Sequence, residues 1–290
     1  MNYIVFDLEW NIAGRANKVD PEVGAAMPFE IMEIGAVKLD AEFREISRYS
    51  VYIRPKLYPI LSNYVAAVTN RLQQSLKYGL LFPDAARDFL AWCGDDYLFC
   101  TWSESDTATL KMNLKFYGLA DQLHVKCLDV QYAFDVCLEK ADIQRSIEYA
   151  VDFLRLPKRE PFHTAVNDAY YTGLILSEMN RILQEEQPGH NFIARYAFDP
   201  NLTRSYQLTL AGLATIEAAL AELQNLTLTC PACGMALEKQ IEWIRDGNKV
   251  LATFKCPLHG RILGKSRFRT KGKELLQTSV SIRLDRDQEG

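Results

Sequence analysis

Asp7-Leu8-Glu9 sets two carboxylates two residues apart, directly behind the apolar run Tyr3–Phe6. Side chains on a strand alternate with a period of two, so both acids point to one face. Two acids on one face repel unless a cation lies between them, and oxygen donors suit hard ions such as Mg²⁺ or Mn²⁺. A further acid, Asp106, follows the strand-like segment Tyr97–Thr101 at the start of a helical pattern; Glu104 competes for the same role and Ser105 for the cap. His163 and Asp168 flank the start of a late helix. Five residues are about 1.4 helical turns, so the two side chains meet only if His163 sits in the preceding turn. Pro161 supports such a junction, and an imidazole there is suited to proton transfer near neutral pH.

A second constellation is separate. Cys230-Pro-Ala-Cys233-Gly and Cys256-Pro-Leu-His259-Gly repeat one pattern, with 22 residues between Cys233 and Cys256. Between them Ile241–Arg245 and Lys249–Lys255 flank Asp246-Gly247-Asn248, a good hairpin turn. Three thiolates and one imidazole fill all four positions of a tetrahedral Zn²⁺, so the expected ion is structural, and it supplies folding energy to a short module. The other four cysteines, Cys93, Cys100, Cys127 and Cys137, lie in apolar surroundings and read as small core residues.

The elements that must position these groups follow from the hydrophobic pattern. Tyr3–Phe6, Ile31–Leu39 and Tyr49–Ile53 read as strands with short polar breaks, which suggests an antiparallel meander. Pro83–Trp92 reads as a helix and Tyr97–Thr101 as a strand. Asp106–Tyr117 is helical with Gly118 as cap, Val125–Val130 is a strand, and Ser146–Leu154, His163–Gln184 and Leu208–Leu223 are helices.

In this order the motifs resemble the DEDDh, or DnaQ-like, 3′–5′ exonucleases of the ribonuclease H-like superfamily. Asp7 and Glu9 match the family's first motif, Asp106 the second, and His163-Thr-Ala-Val-Asn-Asp168-Ala the third. Met32–Val37 looks like the family's second strand and Leu128-Asp129-Val130 like its fifth. The resemblance implies an α/β fold, a mixed five-stranded sheet flanked by helices, over residues 1–187. A helical connector over 188–225 and a small β zinc ribbon with a basic tail over 226–290 complete the chain. It implies two Mg²⁺ or Mn²⁺ ions held by Asp7, Glu9, Asp106 and Asp168, with a two-metal-ion mechanism. His163 deprotonates the attacking water, and 5′-nucleoside monophosphates leave from the 3′ end of DNA or RNA. Where the family has a small residue after the glutamate, this chain has Trp10-Asn11, and Val68-Thr69-Asn70-Arg71 stands nearest to its threonine-glycine turn. Trp10, Asn11, Val68 and Thr69 are therefore the expected contacts to the terminal nucleotide.

Composition agrees with a globular protein. Of 290 residues, 48% are hydrophobic and 24% charged, which excludes disordered and fibrous classes. No stretch approaches a membrane span, and the N-terminus has no basic leader, so the expected location is cytoplasmic. The net charge is −4, yet residues 228–290 carry twelve Lys and Arg against seven Asp and Glu, +5, leaving −9 for the rest. Lys265, Arg267 and Arg269 in the basic stretch are expected to hold phosphates of a single strand or 3′ end. The ribbon is also a place for a protein partner. The alternative is a non-catalytic nucleic-acid-binding or partner-docking protein that uses the ribbon.

Overall fold

The computed structural model describes residues 1–13, 17–62, 65–66, 75–119, 123–140, 143–247, 249–271 and 274–285. The chain divides into two units, Met1–Ile193 with Ala197–Pro200, and Ala194–Tyr196 with Asn201–Gly290.

The first unit is built on a mixed sheet of order β3-β2-β1-β4-β5, formed by β1 (Asn2–Ile12), β2 (Phe29–Leu39), β3 (Glu45–Tyr52), β4 (Tyr97–Thr101) and β5 (Cys127–Asp129). The first three strands form the expected antiparallel meander, and β4 runs parallel to β1. β1 continues well past Phe6, through both acids, because β2 supplies partners as far as Phe29, with a bulge between Glu9 and Trp10. Its even residues Ile4, Phe6 and Leu8 enter the larger core beside Phe89, Phe99, Leu110 and Leu114. Phe6, 1% exposed, meets Phe99 edge-on at 4.8 Å. Burying a side chain of this size contributes about 2–3 kcal/mol. That anchors the strand whose odd residues, Asp7 and Glu9, face the other way.

The helices of this unit include α1 (Pro21–Ala26), α2 (Phe82–Cys93), α3 (Glu104–Phe116), α4 (Val130–Phe134), α5 (Ile147–Phe153) and α6 (Ala165–Glu186), while α7 (Phe192–Tyr196) falls across the division between the units. α3 starts two residues earlier than expected, because the Ser103 hydroxyl accepts from the Ser105 amide and caps it, so Asp106 lies inside the first turn. β5 is shorter than expected, because the Asp129 carboxylate accepts from Tyr132 N and starts α4. α6 buries Ala165, Ala169, Tyr171, Thr172, Gly173, Leu176, Met179 and Leu183 at helical spacing. Small residues in that stripe let it approach the sheet closely. The closest approach is at Gly35 on β2, where a Cβ would lie 2.0 Å from Val166 N.

The second unit is an antiparallel sheet of order β6-β10-β9-β8-β7, from β6 (Ser205–Leu210), β7 (Glu238–Asp246), β8 (Lys249–Cys256), β9 (Gly260–Lys271) and β10 (Glu274–Leu284), with α8 (Ile216–Asn225). Two expectations are corrected here. The helix expected over Leu208–Leu223 is a strand followed by a shorter helix. Tyr206, Leu208 and Leu210 alternate against the core while Ser205, Gln207 and Thr209 face out, and Gly212, at φ +74°, separates the two elements. The connector over 188–225 is therefore not all helix; its strand pairs with β10. The basic stretch is likewise not a tail but β9, hydrogen-bonded on both sides.

Among the described residues, no helix is long and apolar enough to cross a membrane.

Candidate active site and metal cluster

Carboxylate oxygens of Asp7, Glu9 and Asp168 lie within 4.8 Å of one another. Three elements bring them together. β1 presents Asp7 and Glu9 on one face, opposite Gly35 and Glu33 of β2. The bare Gly35 lets the first turn of α6 rest on β2, which carries Asp168 over the same face. The turn before α6 is fixed by a hydrogen bond from His163 N to Asp168 Oδ1 at 3.2 Å. His163 adopts φ 68°, a left-handed conformation that histidine tolerates better than most residues, and its side chain is exposed.

Asp106 comes from the other side of β1. Its Oδ1 accepts a hydrogen bond from Leu8 N at 3.0 Å, so the backbone between Asp7 and Glu9 is tied directly to α3. The parallel register of β4 on β1 ends at Cys100 opposite Val5, which delivers the helix start to this position.

Burial pushes the Asp7 carboxyl well above the usual range, and the nearby Asp106, Asp168 and Glu9 charges push it further. Burial raises Asp106 to about 7 despite bonds from Leu8 N and Ser105. Burial also raises Asp168 to about 6, although the His163 amide and ring pull it down. Several acids held together at this cost have a use as a unit. Ligand oxygens on one divalent cation are about 4–5 Å apart at most, which the Asp7, Glu9 and Asp168 oxygens satisfy. The set fits a hard divalent cation.

His163 and Asp168 also line a cleft of about 560 Å³, with Trp102, Ser105, Arg145 and Phe162. Nothing in the sequence pattern marks this wall. Trp102 Nε1 and Gln131 Nε2 both donate to Arg145 O, which holds the segment before α5 beside the start of α3. These residues form no spaced motif, so only proximity reveals them.

The expected nucleotide contacts fare differently. Asn11 is fully buried; its Nδ2 donates to Tyr58 O and Ile60 O, and its Oδ1 accepts from Ser62 N. The structure thus uses it to anchor a loop. Trp10 packs on Phe29 and the larger core while staying partly exposed. Val68 and Thr69 lie outside the described residues. Lys265, Arg267 and Arg269 sit on the exposed face of β9.

In the second unit, ligand atoms of Cys230, Cys233, Cys256 and His259 converge within 4.8 Å. Cys230 Sγ is 3.6 Å from His259 Nδ1, Cys256 Sγ is 3.7 Å from it, and Cys233 Sγ is 3.6 Å from Cys256 Sγ. A tetrahedron with bonds of about 2.3 Å to sulfur has edges of about 3.8 Å, slightly less to nitrogen. The cluster therefore matches the edges of one tetrahedral site. The two glycines of the doubled pattern, Gly234 at φ 73° and Gly260 at φ 66°, turn the chain in the left-handed conformation behind each ligand pair. Cys93, Cys100 and Cys127 are buried in the first unit, and Cys137 is partly buried.

Comparison with known proteins follows the same lines. The nuclease domain of 3′hExo bound to rAMP, described as a DEDDh family member, superimposes with a TM-score of 0.53 at 17% identity, over 64% of this chain and 94% of that one. A full-length 3′-exonuclease gives 0.51 at 16%, over 64% and 82%. The E. coli ExoI–ssDNA complex gives 0.51 at 13%, over 87% of this chain but 54% of that one. At these identities the likeness is one of fold. No curated protein sequence matches the chain significantly. The family model named RNase_T, described as exonuclease, matches residues 4–176 and so spans every element that carries the carboxylate site. On that match, the chain belongs to the RNase_T exonuclease family.

Proposed function

We propose that the protein is a divalent-cation-dependent 3′–5′ exonuclease that removes 5′-nucleoside monophosphates from the 3′ end of single-stranded nucleic acid. The convergence of Asp7, Glu9 and Asp168, with Asp106 tied to the same strand, carries this reading. Asp7, Glu9, Asp106 and Asp168 would hold Mg²⁺ or Mn²⁺, two ions in the two-metal scheme, which neutralise charge on the attacking and leaving oxygens of a phosphodiester. His163, exposed at the mouth of the cleft, accepts a proton from the attacking water. The new bond joins that oxygen to phosphorus, the bond from phosphorus to the 3′-oxygen breaks, and the 3′-oxygen leaves to be protonated by solvent. Arg145, whose guanidinium is held by Glu139 at 2.7 Å, places positive charge on the cleft wall for the phosphate. Cys230, Cys233, Cys256 and His259 would hold one structural Zn²⁺.

The test is a gel assay with 5′-labelled RNA and DNA of one sequence, with Mg²⁺, Mn²⁺ or neither, beside Asp7→Ala. A metal-dependent ladder shortening from the 3′ end, absent from the variant, is expected, and the same gel reads the preferred sugar. Turnover by Asp7→Ala at the wild-type rate would overturn the assignment.

A further inference from the structure

We propose that the outward face of the second sheet is a track for the phosphate backbone of single-stranded nucleic acid. Along β9 the side chains alternate. Ile262, Gly264, Ser266 and Phe268 are buried, while Arg261, Lys265, Arg267 and Arg269 are exposed. The register sets Lys255 directly opposite Arg261 and Lys249 directly opposite Arg267, both on β8. Arg283 of β10 joins the same face opposite Leu263. Seven exposed cations thus occupy three neighbouring strands.

Like charges directly opposite across a ladder destabilise a sheet. Here two such pairs stand six residues apart along β9; Glu238 and Asp246 of β7 stand opposite Lys255 and Lys249, and a polyanion lying along β9 meets the arginine of each pair. On β6 and β10 the described outward positions other than Arg283 are neutral and hydrogen-bonding. Gln277, Ser279 and Ser281 on β10 face Arg269, Arg267 and Lys265, and Gln207 and Thr209 on β6 continue the face. Among the described side chains, the outward positions of β6, β9 and β10 hold no carboxylate; Glu238 and Asp246 lie on the edge strand β7, and Asp285 pairs with Arg261 at 3.1 Å. Successive outward residues on a strand are about 6.8 Å apart. That spacing is comparable to the separation of neighbouring phosphates in an extended single strand.

The same face favours a single strand over a duplex. Beside the cations run exposed Ile241, Ile244 and Leu251, apolar surface on which unstacked bases can rest. A hollow of about 580 Å³ lined by Gln240, Ile241, Thr253, Phe254, Lys255 and Arg261 lies at the end of the basic row, large enough for a base. In a duplex the bases are stacked inside and reach neither feature.

The choice of nucleic acid as occupant rests on the nuclease reading above, and the experiment separates the two. Binding is measured by fluorescence anisotropy with a 20-nucleotide labelled strand in the Asp7→Asn background, without chelator so that zinc is retained. The variant Lys265→Thr/Arg267→Thr/Arg269→Thr keeps good strand formers. Each lost phosphate contact lowers the salt slope by about 0.7 for single strands, so the slope should fall by about 2 and affinity at low salt by at least about tenfold. Ser279→Glu, which adds one anion beside Arg267, is a second variant and should weaken binding in the same direction. Zinc content and the thermal transition serve as folding controls. Unchanged affinity and slope in both variants would overturn the proposal. So would equally tight binding of a blunt duplex of equal phosphate number. Residual hydrolysis by Asp7→Asn would count against the active-site assignment alone.

Discussion

Asp168→Asn should make the protein more stable when no magnesium is present. The carboxyl of Asp168 is raised from the ordinary 3.8 to about 6, chiefly by burial. The folded state therefore binds this proton more tightly than the unfolded chain does. Stability is undiminished below about pH 4 and is lost as pH rises from 4 to 6; above 6 the full penalty remains. A difference of about 2 pH units at 1.36 kcal/mol each sets a ceiling of about 3 kcal/mol at pH 7.5. The asparagine oxygen can still accept from His163 N, which conserves the hydrogen bond seen at 3.2 Å. Burial of the amide offsets part of the gain, leaving about 1–3 kcal/mol, or about 2–4 °C in Tm for each kcal/mol in a unit of this size. Urea unfolding followed by tryptophan fluorescence reads mainly the first unit, which holds Trp10, Trp92 and Trp102 of the four tryptophans. The gap between variant and wild type should open between pH 4 and 6 and stay constant above that. Added Mg²⁺ should raise the wild-type midpoint more than that of the variant. A variant no more stable than wild type at pH 7.5, or a gap that widens towards pH 4, would refute the view that these acids are held together at a cost.

Three other outcomes follow. His163→Ala should lower the rate about 10²–10⁴-fold in single-turnover hydrolysis without moving Tm by more than a few degrees, the signature of a lost general base. Gly35→Ala should destabilise the first unit by about 3 kcal/mol or more and lower activity with it, read by urea unfolding and the gel assay. Its Cβ would meet backbone at 2.0 Å, where no flexible side chain can yield. The reduced wild-type protein should hold one zinc per chain, and Cys256→Ser should lose most of it. Metal analysis checks both, together with the thiolate absorption of a cobalt-exchanged sample.

The candidate metal ligands were legible in the chain because their spacing is local. A period-two strand forces Asp7 and Glu9 to one face, and a doubled C-P-x-[CH]-G fixes two ligand pairs in left-handed turns at Gly234 and Gly260. Asp106 and Asp168 were readable as ends of periodic elements. The closeness of Asp168 to Asp7 depends on the contact of Gly35 with Val166, residues 131 positions apart, which no local pattern encodes. Burial has the same origin, and it is burial that raises Asp7, Asp106 and Asp168. Asn11 beside the Asp7-Leu8-Glu9 motif looked like a substrate contact, but its amide is taken up by the backbone of Tyr58, Ile60 and Ser62. The segment Leu208–Leu223 looked helical throughout because leucines at mixed spacing satisfy either period. Pairing of β6 with β10 decided for a strand. The basic stretch from Arg261 read as a phosphate contact or as a solvated strand or tail, and only the neighbours on both sides of β9 show Arg261, Lys265, Arg267 and Arg269 on one face of a sheet. Residue types and spacing thus determined which groups are candidates for the chemistry. Contacts between residues far apart in sequence decided which of them meet and at what protonation cost, because burial and pairing are properties of the packed chain.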